Sequence, residues 1–240
     1  MNDIQQLMDA ARQVTPYLNG KVAPAETGML LVNGDNSALL TKMYQEISRL
    51  HPEAKHAYFL TRTFSLLSWQ PVYLAFIGVY GFNMIPDFSS MSQNYRNGLI
   101  SGFQFGSSEC RRGDKTELIA EVGQTLGDIV MHWQQELDVL YRCRPGFSRQ
   151  LMADFLLMSL MKVHHHFDAF ERDDVIEDAK LWLEAFQLPK QTIKGFSVES
   201  PLSYTRKSCC LITQTKHGEL CADCPKQRVA EDKQRKRSHV

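Results

Sequence analysis

Four of the six cysteines in this 240-residue chain fall within sixteen residues near its end: Cys209-Cys210, ten further residues, then Cys221-Ala222-Asp223-Cys224-Pro225. Four thiols converging through one short loop restrict that part of the chain to cross-linking or metal binding. Three chemistries compete. Disulfides are disfavoured, because the N-terminus Met1-Asn2-Asp3-Ile4-Gln5-Gln6 lacks the basic and apolar regions of an export signal, so the default compartment is the reducing cytoplasm. Zinc suits four thiolates, and Cys221-x-x-Cys224 is an ordinary chelating half. The adjacent pair Cys209-Cys210, however, is awkward for tetrahedral chelation of one ion. A 2Fe-2S cluster spreads four thiolates over two bridged irons, which makes adjacent cysteines usable. Thiolate sets suit both zinc and cluster, and the choice between them stays open on chemistry alone.

The rest of the chain reads as a folded body. Hydrophobic residues at 43% and charged residues at 22% exclude a disordered chain. Lys plus Arg and Asp plus Glu each total 27, so there is no cationic surplus for holding nucleic acid against salt. The charge is unevenly spread: from Arg206 onward there are nine Lys or Arg against four Asp or Glu, and before it 18 against 23. These features divide the chain into a mainly helical body over 1–200 and a basic cysteine segment over 201–240. The stretch from Phe64 to Pro86 is uncharged and long enough to span a bilayer. Ser65, Ser68, Gln70 and Asn83 interrupt it, and it reads as a buried helix pair broken at Pro71, with no transmembrane helix in the chain.

The pattern is α+β, predominantly α. Leu118, Val122, Leu126, Ile129, Trp133, Leu137 and Leu140 recur at helical spacing and predict a long helix over 117–142. Ser148 is the expected N-cap of a buried helix running to about Phe170. Asp174 and Glu177 resemble a capping box, opening a third helix with Ile176, Ala179, Leu183 and Phe186 inward, stopped at Leu188-Pro189. Earlier helices are expected over about 3–18, 38–50 and 54–70. Between the two sets, Met91 to Tyr95 and Leu99 to Phe105 flank Arg96-Asn97-Gly98, whose Asn-Gly step predicts a hairpin in a small antiparallel sheet.

The pattern C-C-x10-C-x2-C followed by proline, here Cys209, Cys210, Cys221, Cys224 and Pro225, resembles the C-terminal motif of the FhuF-type ferric siderophore reductases, with Gly218 where the loop must turn. In that family the motif closes a mostly helical chain of about this length. Arg62 followed by Trp69-Gln70-Pro71 and an apolar run is similar to the family's middle region. The resemblance implies a 2Fe-2S cluster on the four cysteines and an oxidoreductase acting on metal ions. Such a protein passes one electron to siderophore-bound iron(III) and releases iron(II) in the cytoplasm. Hard oxygen ligands hold iron(III) far more tightly than iron(II), so one electron loosens the grip. Two other readings keep the cysteines but not the activity: a noncatalytic interaction protein stapled by zinc, and a 2Fe-2S redox sensor or carrier.

No nicotinamide, flavin or P-loop fingerprint is present, so the reading requires a separate electron donor such as a ferredoxin or a reductase. It allows peripheral association with the inner membrane. Arg206, Lys207 and Lys216 are candidates for tuning the cluster or docking an acidic donor. Arg62, Arg96, Arg111, Arg112 and Arg142 are candidates for binding a neutral or anionic siderophore. His164-His165-His166 points in different directions on a helix and is not a metal site; His164 is expected to pair with Asp168. Cys110 and Cys143 are read as ordinary core or surface thiols.

Overall fold

The uncharged stretch after Phe64 turns out to be one helix. In the computed structural model, which describes residues 2–166, 171–197, 201–221 and 224–226, α3 (His56–Phe82) runs through Pro71 without a break. This corrects the expected helix pair, and the reason is local. Pro71 has no N–H to give to the Leu67 carbonyl one turn earlier. The side chain of Gln93 supplies the missing donor, its Nε2 lying 3.0 Å from the Leu67 oxygen. The helix ends where Asn83 turns left-handed at φ 49°. Among the described residues, no helix is long and apolar enough to cross a membrane.

Helices α1 (Asp3–Val14), α2 (Ser37–Leu50), α4 (Lys115–Tyr141) and α5 (Pro145–His166) pack along α3. The reasons lie in their apolar spacing. α1 buries Ile4, Leu7, Met8 and Ala11, and α2 buries Leu40, Met43 and Ile47. The expected stripe of α4 is buried from Leu118 to Leu137. α5 starts three residues before the expected cap. Pro145 opens it, at a position where a missing N–H costs nothing, and Ser148 sits inside the first turn with its hydroxyl donating to the Pro145 carbonyl at 3.1 Å. The expected extension to Phe170, with the partner residue Asp168, lies outside the described residues.

α6 (Arg172–Ala185) closes the body against α4 and α5. Its cap is Glu171, with Asp173 and Asp174 already in the first turn. The inward face is Val175, Ala179, Trp182 and Leu183, and Ile176 is only half-buried. The Asp174 capping box is thereby corrected; acidic residues favour the first turn as well as the cap, which makes the two hard to tell apart.

The expected hairpin is present as β4 (Met91–Arg96) and β5 (Leu99–Phe105), with Asn97 at φ 52° and Gly98 at φ 80° in the turn. Two short strands join it, β1 (Gly20–Val22) and β2 (Leu30–Leu31), in the order β1-β5-β4-β2. β1 runs parallel to β5, with Gly20 opposite Phe103, so the sheet is mixed rather than purely antiparallel. A second, two-stranded sheet pairs β3 (Met84–Pro86) with β6 (Cys110–Arg112). Helices dominate the described residues, and the fold class is α+β, predominantly α.

Candidate metal centre

After α6 the chain makes a 3-10 segment over Lys190–Gly195 and a single bridge between Phe196 and Tyr204, then enters the cysteine loop at Arg206. Two backbone features shape the loop. Leu211 is left-handed at φ 58°, which turns the chain sharply after Cys209-Cys210 and lets its N–H point at the Cys209 Sγ, 3.4 Å away. For a branched side chain that conformation costs roughly 1–2 kcal/mol, a strain that must be held by the surroundings. A short 3-10 turn, Ile212–Gln214, follows. At Gly218 the loop folds back so tightly that a Cβ would overlap the Ile212 carbonyl, which only glycine avoids. Gly218 is thus the turning point its place in the sequence pattern suggests.

The loop is tied to the helical body on α5 and ahead of α3. On α5, Asp154 is 1% exposed and accepts hydrogen bonds from the Tyr204 hydroxyl (2.5 Å) and from the N–H groups of Lys207 (3.0 Å) and Ser208 (2.6 Å). Ahead of α3, Glu53 accepts the Lys216 N–H at 2.6 Å, and the Lys55 N–H donates to the Gln214 side chain at 3.1 Å. Sequence reading missed Asp154. The available signal was a lone acid inside Leu151-Met152-Ala153-Asp154-Phe155-Leu156-Leu157, where a carboxyl has to find partners or stay out of the core.

Cys210 and Cys221 face each other with sulfurs 3.6 Å apart. Tetrahedral bonds of about 2.3 Å put neighbouring thiolates about 3.8 Å apart, so the pair already stands near the spacing of two ligands on one metal. The guanidinium of Arg206 donates to both sulfurs, at 3.5 Å to Cys210 and closer to Cys221. Burial alone would push the Cys210 thiol up. The Ile212 N–H, the Cys221 thiol and the Arg206 charge outweigh it and hold its pKa below the ordinary thiol value. Cys209 is half-buried, and Cys224 is 3% exposed with its N–H on the Cys221 carbonyl at 3.0 Å. Among the described residues no three His, Cys, Asp or Glu side chains stand close enough to hold a metal ion together. The donor set fits a cluster chemically: four thiols in one loop, two of them paired beside a cation.

The remaining cysteines contrast with the loop. Cys143 is fully buried and its thiol is pushed up to about 11, by burial first and then the charge of Asp138. Cys110, half-buried on β6, is raised by burial and by Asp3. Neither favours thiolate, as ordinary core thiols should not.

The candidate cations are scattered. Arg62 is exposed on α3 and lines a groove of about 650 Å³. Arg96 and Arg142 are exposed at the hairpin turn and at the left-handed end of α4. Arg111 pairs with Glu117 and Glu121, and Arg112 pairs with Asp3 while donating to the Phe82 carbonyl. The Lys207 ammonium reaches the Gln191 carbonyl at 2.8 Å. Cys210, Arg206 and Ser208 form one wall of a small cleft of about 90 Å³ between α3 and α5.

A thiolate-rich iron-sulfur segment is the class this loop defines. Residues 206–226 match the FhuF 2Fe-2S C-terminal domain. That stretch contains all four clustered cysteines and Arg206, so the segment is of the FhuF 2Fe-2S type and its cofactor is a 2Fe-2S cluster. The match covers this C-terminal segment and does not extend to the helical body before it. No solved structure matches the chain.

Proposed function

We propose that the chain is a cytoplasmic ferric siderophore reductase, in which Cys209, Cys210, Cys221 and Cys224 hold the cluster and the helical body over 1–200 receives the siderophore. The observation that carries the reading is the position of Cys210. It belongs to the paired sulfurs and also lines a cleft of the helical body, so an electron at the loop has a short way to a chelate on that body. When bound, a 2Fe-2S cluster supplies one electron at a time.

The chain's own residues have separable tasks. Asp154, Glu53 and Lys55 fix the loop on α5 and at the start of α3, so that its distance to the body does not drift. The Arg206 guanidinium compensates negative charge on the sulfurs of Cys210 and Cys221, which favours a more reduced state and raises the potential. Lys207 and Lys216 add positive charge on the outer side of the loop, suited to an acidic donor such as a ferredoxin. The substrate iron(III) needs no protein ligand, because its loss of affinity for hard oxygen donors on reduction does the releasing.

The test is anaerobic. The purified protein should carry about two irons and two sulfides per chain and show an electron paramagnetic resonance signal once reduced. On stopped-flow mixing with ferric siderophores it should be reoxidised as iron(II) is trapped by a chromogenic chelator. A colourless protein with one zinc would favour the stapled interaction protein instead. A cluster that no ferric chelate reoxidises would make the chain a carrier or sensor.

A further inference from the structure

A second, larger concavity adjoins the cleft that Cys210 lines. It is a groove of about 650 Å³ bounded by α1, α3, α5 and the start of β5, within the roughly 300–1,000 Å³ of small-molecule sites. Ser65 and Phe155 line both the groove and the cleft, so one opens beside the other. Two features of its lining narrow what it can hold. The charged side chains in it are Arg62 and Lys162, both exposed, with no carboxylate among the lining residues. The rest of the wall is rich in rings. Tyr73 stacks on Phe155 at 6.2 Å and meets Trp69 edge-on at 5.8 Å. Lys162 donates to the Tyr73 hydroxyl at 2.6 Å and stands 5.3 Å from its ring centroid. Tyr17 completes the aromatic set.

We propose that this groove binds an anionic, aryl-bearing ferric chelate, the tris-catecholate class, with Arg62 and Lys162 facing its charge and Tyr17, Trp69, Tyr73 and Phe155 facing its rings. The inference rests on the reductase reading for the iron and goes beyond it in naming the site and the substrate class. Three chelate chemistries are separated by the same wall. An iron(III) tris-catecholate carries a triple negative charge and flat rings, and engages both the cations and the aromatic faces. A trihydroxamate complex is neutral and aliphatic, and engages neither. A hydroxycarboxylate complex is anionic without rings, and engages only the cations. Binding here also places the chelate beside the cleft where Cys210 lies, which electron transfer needs.

Trp133 and Trp182 are fully buried, while Trp69 is half-buried at the groove, so emission from Trp69 reports its occupancy. Oxidised holoprotein, without reductant, is titrated with a ferric tris-catecholate, a neutral ferric trihydroxamate and ferric citrate. The tris-catecholate should quench saturably and bind tightest, and Trp69→Phe should remove the saturable part. Arg62→Gln and Lys162→Gln should each weaken tris-catecholate binding about tenfold, the loss of one charge-assisted contact, with Lys162→Arg restoring most of it. Trihydroxamate binding should stay within about twofold in the same variants, since a neutral complex offers no charge for either cation to meet. Equal affinity for the neutral chelate, or no effect of either Gln variant, overturns the proposal. Stopped-flow reoxidation of the reduced protein keeps the two claims apart. Reduction of every chelate regardless of Arg62 and Lys162 would sink the groove and leave the reductase. Tight groove binding without reoxidation would leave the groove and sink the reductase.

Discussion

Asp154 lies in an apolar stretch of α5 at 1% exposure, where a carboxylate persists only when its lone pairs are used. The Tyr204 hydroxyl and the Lys207 and Ser208 N–H groups use them. Asp154→Asn replaces one accepting oxygen by an NH2 facing backbone donors, and should cost about 1–3 kcal/mol. The readouts are the urea midpoint and faster proteolysis around residue 206, with Tyr204→Phe losing about 1 kcal/mol for the hydroxyl's bond to Asp154. A second residue gives a pH test. Hydrogen bonding by the Arg112 guanidinium holds the half-buried Asp3 carboxyl below its ordinary value. A depressed folded-state value means stabilisation that is present above the unfolded pKa and is lost as pH falls through the folded one. Asp3→Asn should therefore lower the Tm at neutral pH, and the gap from wild type should close in acid below the carboxylate range. A gap that persists unchanged in acid would show that the pair contributes nothing by its charge.

At the scale of elements, α3 depends on a residue from another element. Gln93 on β4 donates to the carbonyl that Pro71 leaves without its helical partner. In the wild-type background Gln93→Ala should cost about 1–3 kcal/mol, because it strands a buried acceptor. In a Pro71→Ala background the restored Ala N–H takes over that carbonyl, and the same change should cost about 1 kcal/mol less. Additive losses in chemical denaturation would disprove the coupling. This pair also explains what could and could not be read from sequence. α4 was legible because its stripe repeats for seven turns, and the hairpin because Asn97-Gly98 supplies two positive φ angles. The continuity of α3 was not, since proline is a breaker by local rules and its rescue comes from twenty-two residues away. The pairing of β1 with β5 was equally invisible, three residues long and set by tertiary neighbours. In the loop, the four cysteines and Gly218 carried their own spacing, whereas Asp154 and Glu53 act through partners that only the fold brings near.

Across the whole molecule, one apolar core runs from Ile4 on α1 to Leu188 after α6, and from the segment beyond 200 it takes in Tyr204. Leu202, Leu211 and Ile212 pack on it from outside, and Cys224 is buried apart from it. Burial on that scale, with the helices already interlocked through α3, leads us to expect that the body unfolds as its own cooperative unit. The loop has much less: polar ties to Asp154, Glu53 and Lys55, a strained Leu211, and whatever its metal adds. Metal binding should therefore couple to the order of residues 206–226 and only weakly to the rest. Cys224→Ser or Cys209→Ser, purified anaerobically, should lose iron and sulfide and become sensitive to protease within the loop. The helical circular dichroism should stay close to that of the holoprotein, and the urea midpoint of the body should fall by less than for Asp154→Asn, which removes a buried anchor rather than a ligand. Global unfolding of both cysteine variants would instead mean that the cluster staples the entire fold, and that the apolar core from Ile4 to Leu188 is insufficient without it.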